Sequence, residues 1–131
     1  MKYKFFVIRY IPDLLRGEFI NIGIIIQPIE SDRERALIRM TTDWSRVLRF
    51  DPEADVEMLE ALGADLCKQI DEDKGSAETA VRFLQELSLA IQSSEARGGL
   101  AENLETELET LMSLFVNPKI GVHVTIPPPS Q

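Results

Sequence analysis

One cysteine and one histidine in 131 residues leave little material for nitrogen and sulfur chemistry. Cys67 has no second thiol in the chain, so an internal disulfide is excluded, and its place between Leu66 and Lys68 in a helical pattern reads as structural. His123 alone cannot build the usual zinc site, and a histidine-dependent triad would need a nucleophile motif that its segment lacks. Walker, Rossmann, kinase, HExxH and GxSxG patterns are absent as well. No catalytic residue, metal-ligand set or cofactor motif emerges. Long apolar runs are also missing: none approaches the roughly 18 residues of a membrane span, and the first residues enter a strand pattern instead of a signal peptide. The expectation is a cytoplasmic protein with no membrane partner.

Positive charge is scarce in one half only. Residues 1–50 hold nine Lys/Arg against six Asp/Glu, net +3, whereas 51–131 hold five against sixteen, net −11, within an overall charge of −8. General nucleic-acid binding needs a basic face and is disfavoured for the whole protein, while a local anion site on the N-terminal half stays open. The acidic clusters Asp71-Glu72-Asp73 and Glu102 to Glu109 read as solvated faces or as a docking surface for a basic partner. The length fits one domain, placed at 1–126, with Pro127, Pro128 and Pro129 opening a flexible end at 127–131.

The chain is organised around Arg9 to Gln27, RYIPDLLRGEFINIGIIIQ. Ile20, Ile22, Ile24 and Ile26 alternate and are expected to turn to one buried face of a strand. The other face, Phe19, Asn21, Gly23, Ile25 and Gln27, carries an amide and a glycine where a purely structural strand would place Val or Thr. Before it, Tyr3 to Tyr10 reads as a central strand stopped by Pro12, and seven residues, Ile11 to Gly17, connect the two as an antiparallel pair.

Arg35 to Thr41 alternates as a third strand, and Asp43 to Phe50 as a short helix burying Trp44, Val47 and Leu48. Asp51-Pro52-Glu53 reads as the start of a long helix striped by Val56, Leu59, Leu62, Leu66 and Ile70. Ser76 is the expected cap of the next helix, whose buried face is Ala80, Val81, Phe83, Leu84 and Leu87. Residues 87–93 switch to strand period, Arg97-Gly98-Gly99 reads as a loop, and Leu104, Leu108, Leu111 and Phe115 mark a last helix. Ile120 to Ile126 alternates as a fifth strand. The expected fold is α+β: a mostly antiparallel sheet of four to five strands with three to four helices.

Arg9, Asp13, Arg16, Glu18 and Asn21 would come to one edge of the hairpin, with Gly23 beside them. Read as a site, Arg9 and Arg16 bind a carboxylate or other anion bidentately, Glu18 orients an arginine or acts as a base, and Asn21 donates to an oxygen. Read as structure, Glu18 pairs with Arg9 or Arg16, Asp13 closes the turn, and Asn21 satisfies a backbone group beside a bulge at Gly23. Both readings stand on sequence alone. Gly17 supplies a positive φ in the turn, and a glycine pair leading into a strand is not a phosphate cradle.

The pattern Arg9, Tyr10, Pro12, Asp13, then Arg16, Gly17, Glu18, Phe19, Asn21 and Gly23 resembles the N-terminal signature of the domain-of-unknown-function 3037 family, small bacterial proteins. The likeness is close over residues 3–28 and weaker to about Val116. It implies a fold and a bacterial source but no reaction, and some members are encoded beside kinases similar to the HipA toxin. The resulting expectation is a non-enzymatic accessory or regulatory protein that binds a protein partner, with a HipA-like kinase as the implied one. The alternative is a small-ligand or anion-binding domain, or an enzyme, using Arg9, Arg16, Glu18 and Asn21. The apolar stripe of the long helix would equally serve a homodimer face.

Overall fold

The aromatic and β-branched run after Met1 forms the longest strand, β1 (Lys2–Asp13), and everything else is built against it. A computed structural model describes residues 1–13, 15–29, 35–72, 75–87 and 90–117. β2 (Glu18–Pro28) pairs antiparallel with β1, and β3 (Leu37–Met40) pairs antiparallel with β2. Two short strands, β4 (Ile91–Ser93) and β5 (Arg97–Leu100), share the other edge of β1, giving a five-stranded antiparallel sheet. The helices are α1 (Ser45–Phe50), α2 (Val56–Glu72), α3 (Ala77–Leu87) and α4 (Leu104–Leu111), which runs on into a π-helical turn, Met112–Val116. This is an α+β fold in one domain.

Side-chain alternation along β1 divides the interior in two. Phe6, Ile8 and Tyr10 join Val47 of α1, Leu59, Leu62 and Leu66 of α2, and Leu84 of α3 on one face. Tyr3, Phe5 and Val7 join Leu104, Leu108, Leu111, Met112 and Val116 on the other.

The row of isoleucines does not stay on one face. Ile8 lies opposite Gly23 but Arg9 lies opposite Asn21, so Ile22 is an extra residue and β2 bulges there. Ile20, Ile22 and Ile25 therefore pack in the first core, whereas Ile24 and Ile26 pack in the second. Gly23 is what lets the bulge sit under β3: a Cβ there would lie 2.6 Å from Met40 Sδ and 2.9 Å from the Arg39 carbonyl oxygen.

Several local expectations give way to tertiary pairing. Arg97-Gly98-Gly99 is strand, not loop, because its backbone pairs with Phe5, Lys4 and Tyr3, and Gly99 has no Cβ to collide with the Tyr3 ring. Asp51 closes α1 instead of opening α2: its N–H donates to the Val47 carbonyl, and Oδ1 accepts from Glu53 N at 3.1 Å. The α2 helix starts at Val56, with Asp55 Oδ1 accepting from Met58 N at 3.0 Å.

At the start of α3 the Ala77 N–H is met by Gln27 Oε1 of β2 at 2.8 Å. Leu48 and Leu87, expected inside, are exposed at the ends of short helices, and Leu87 belongs to α3, so the fourth strand shrinks to three residues. The proposed strand Ile120 to Ile126 and the proline end lie outside the described residues.

Candidate functional site

The β1–β2 connection is a tight turn because Gly17 adopts φ +70° and donates its N–H to the Asp13 carbonyl at 3.2 Å. Asp13 Oδ1 also accepts from Leu15 N at 3.0 Å, an aspartate turn that holds the loop against the strand ends. Arg16 Nη2 pairs with Glu18 Oε1 at 2.8 Å, with both side chains more than half exposed. A shallow cavity of about 290 Å³ lies here, lined by Pro12, Asp13, Arg16 and Glu18 together with Arg49 and Phe50 from the end of α1.

Arg9 and Asn21 stand elsewhere. They are cross-strand partners on the face of the second core, four residues up β1 from Asp13. Asn21 Nδ2 donates to the Phe115 carbonyl at 3.0 Å, capping an otherwise open end of the π-helical turn. Arg46 Nη1 does the same for the Val116 carbonyl, and Thr41 Oγ1 donates to Asn117 Oδ1 at 2.9 Å. The guanidinium of Arg9 stacks on the Phe19 ring, 4.3 Å from its centroid. Among the described residues, buried Arg9 Nε meets no acceptor and buried Asn21 Oδ1 meets no donor.

Five of the six candidates thus form two groups. Asp13, Arg16 and Glu18 share the turn cavity; Arg9 and Asn21 share a niche under the π-helical turn; Gly23 serves the bulge and contributes to neither. A second register shift, between Tyr10 and Asp13, falls between the two groups and changes the side-chain phase there. Reading the sequence missed Arg49, Phe50, Arg97 and Phe115. Arg97 stacks on Phe115, 5.5 Å from the ring centroid, and only the pairing of β5 with β1 brings it to this face.

Two phenols, one on each face of β1, hold carboxylates. Burial pushes the Tyr10 hydroxyl up to about 12, helped by its hydrogen bond to Asp51 Oδ2 at 2.7 Å. Burial likewise pushes Tyr3 up to about 12, with its bond to Glu107 adding to the effect. Neither phenol is ionised near neutrality, so both act as donors and not as bases. Cys67 is also raised, by burial first and by Asp71 second, which is the wrong direction for a reactive thiol. Among the described residues no cluster of three or more His, Cys, Asp or Glu is placed to hold a metal ion.

The family profile described as "Protein of unknown function (DUF3037)" matches residues 5–116, which spans β1 through the π-helical turn. The chain belongs to the DUF3037 family. No curated protein and no solved structure matches it. The family stretch therefore takes in both the turn cavity and the Arg9–Asn21 niche. No helix among the described residues is long and apolar enough to cross a membrane.

Proposed function

We propose that this protein is a non-enzymatic accessory or regulatory protein that docks a protein partner through the end of the β1–β2 hairpin. The observation that carries this reading is Leu15, which is 99% exposed in the β1–β2 connection, with Phe19 44% exposed at the start of β2. A leucine held wholly in water, on a turn fixed by Asp13 and Gly17, gains nothing for the fold and is placed to be buried by something else. The rim around it is polar, Asp13, Arg16 and Glu18, which suits a reversible protein contact. A kinase similar to HipA is the first partner to try, and a cytoplasmic setting follows from that choice.

The ligand-site alternative asks Arg9, Arg16, Glu18 and Asn21 to converge. Their division between two places, and the pairing of Arg16 with Glu18, favours the docking reading.

The test is affinity capture from the native cell with tagged wild type and Leu15→Ser, followed by mass spectrometry. The expected result is a stoichiometric partner on wild type that is lost from the variant at unchanged melting temperature. Identical captures from both proteins would end the hairpin-tip reading.

A further inference from the structure

The register of β5 on β1 fixes which of its backbone groups are in use. The Ala101 N–H donates to the Met1 carbonyl at 3.0 Å, and Gly99 and Arg97 stand opposite Tyr3 and Phe5, so these alternate residues turn their backbone groups to β1. Ser94 N, bonded to the Val7 carbonyl, continues the same phase along β1. Gly98 and Leu100 therefore turn theirs outward. Among the described residues β5 pairs with β1 alone, and Arg97, Gly98 and Leu100 are exposed. This is an open sheet edge with no lysine or proline on it to discourage pairing.

Two residues of the edge serve nothing inside the chain. The φ of Gly98 is not positive, and a Cβ there would meet nothing nearer than the Tyr3 carbonyl oxygen at 3.8 Å, an ordinary contact. The fold has room for a side chain at Gly98, and a glycine in a strand weakens it and often marks the close approach of another backbone. Leu100 is 73% exposed. Both lie opposite lysines of β1, Gly98 beside Lys4 and Leu100 beside Lys2, and so share one face.

We propose that β5 is a dimer seam, pairing antiparallel with β5 of a second copy about a two-fold axis at Gly99. In that register Gly98 of each copy stands opposite Leu100 of the other, and the outward groups exchange four backbone hydrogen bonds. Each leucine then covers a glycine, between the stems of Lys4 from one copy and Lys2 from the other. This self-complementarity selects a second copy: a residue without a side chain and an exposed leucine, two positions apart, satisfy each other under a two-fold. Charge does not oppose the seam. Arg97 falls opposite Ala101, and no acid falls opposite an acid between 97 and 101. The stripe of α2, the other candidate for a homodimer face, is spent in the first core. The seam is short beside the roughly 1,200 Å² of a stable interface, so association belongs at micromolar to millimolar concentrations. It lies about eight residues along β1 from Asp13, about 26 Å at 3.3 Å each, and so goes beyond the docking reading without depending on it.

The experiment is sedimentation equilibrium of the full chain from about 5 µM to about 1 mM, with amide hydrogen exchange at both extremes. A monomer–dimer equilibrium is expected, tightening with salt as the net charge of −8 on each copy is screened. The Gly98 and Leu100 amides should gain protection only at the high concentration. Leu100→Lys, at an exposed position, should keep the melting temperature of dilute protein and weaken the dimer about tenfold or more. Gly98→Pro removes an outward N–H that β1 does not use and should weaken it as much.

A monomer at every concentration, a dimer kept at wild-type strength by both variants, or growth beyond two copies each overturns the inference. So does protection of these amides that appears only when another protein is added, which would give the edge to that partner.

Discussion

Gly23 and Asn21 are two residues apart and do opposite kinds of work. At Gly23 the missing Cβ makes room for Met40 and for the Arg39 carbonyl, and backbone cannot step aside as a side chain can. Gly23→Ala should therefore cost about 1–3 kcal/mol, through overpacking and not through backbone strain, and chemical denaturation would read it. At Gly17 the space around a Cβ is open but φ is positive, so Gly17→Ala should cost about 1–2 kcal/mol while Gly17→Asn costs less. A reversed ranking of Ala and Asn at position 17 would show that the turn does not depend on the left-handed conformation. Asn21→Ala leaves the Phe115 carbonyl without its donor and should lower stability by about 1–3 kcal/mol. A variant as stable as wild type would show that the amide is kept for a ligand alone.

β1 works as an axle with a tyrosine hydroxyl gripping an element on each face. Tyr10 holds Asp51 at the end of α1, and Tyr3 holds Glu107 of α4. Both phenols are raised to about 12 from the ordinary 10 when folded. The folded protein thus keeps protons that the unfolded chain gives up, so the contribution is fully present below pH 10 and is lost as pH rises toward 12. Each contribution is at most a few kcal/mol. The melting temperature should fall between those two pH values, and Tyr10→Phe should flatten the fall; a variant as alkali-sensitive as wild type would refute the assignment. At this scale the sequence was legible wherever period alone decided: β1, β2, β3, the stripe of α2 and the last helix. It was not legible where a distant partner decided. β5 is a strand only because β1 lies beside it, α3 is capped by a glutamine from β2, and Asp51 serves Tyr10 from forty-one positions away. The candidate site follows the same rule. Its residue types were visible, but the register shift between Tyr10 and Asp13 that separates Arg9 and Asn21 from the turn has no local signature beyond Pro12.

One sheet with a core on each side raises the question of whether the molecule unfolds as one body. Trp44 lies in the first core, beside α1 and α2, whereas Leu108 is buried in the second, beneath α4. Among the described residues the buried side chains form two separate clusters, and the backbone of β1 and β2, whose alternate residues feed both, joins them. If the strands couple the two sides, Leu108→Ala should destabilise by about 2–5 kcal/mol and shift the unfolding seen by Trp44 fluorescence as much as that seen by far-ultraviolet circular dichroism. A Trp44 transition that stays at its wild-type midpoint while the helical signal moves would show two separately melting layers. The connections favour coupling. Thr41, at the end of β3, bonds Asn117, Arg46 of α1 bonds the Val116 carbonyl, and Asn21 of β2 bonds Phe115. All three tie the π-helical turn to elements of the first core or to the shared strands. Loosening α4 therefore pulls on α1, and through Val47 and Trp44 on the core that the fluorescence reports.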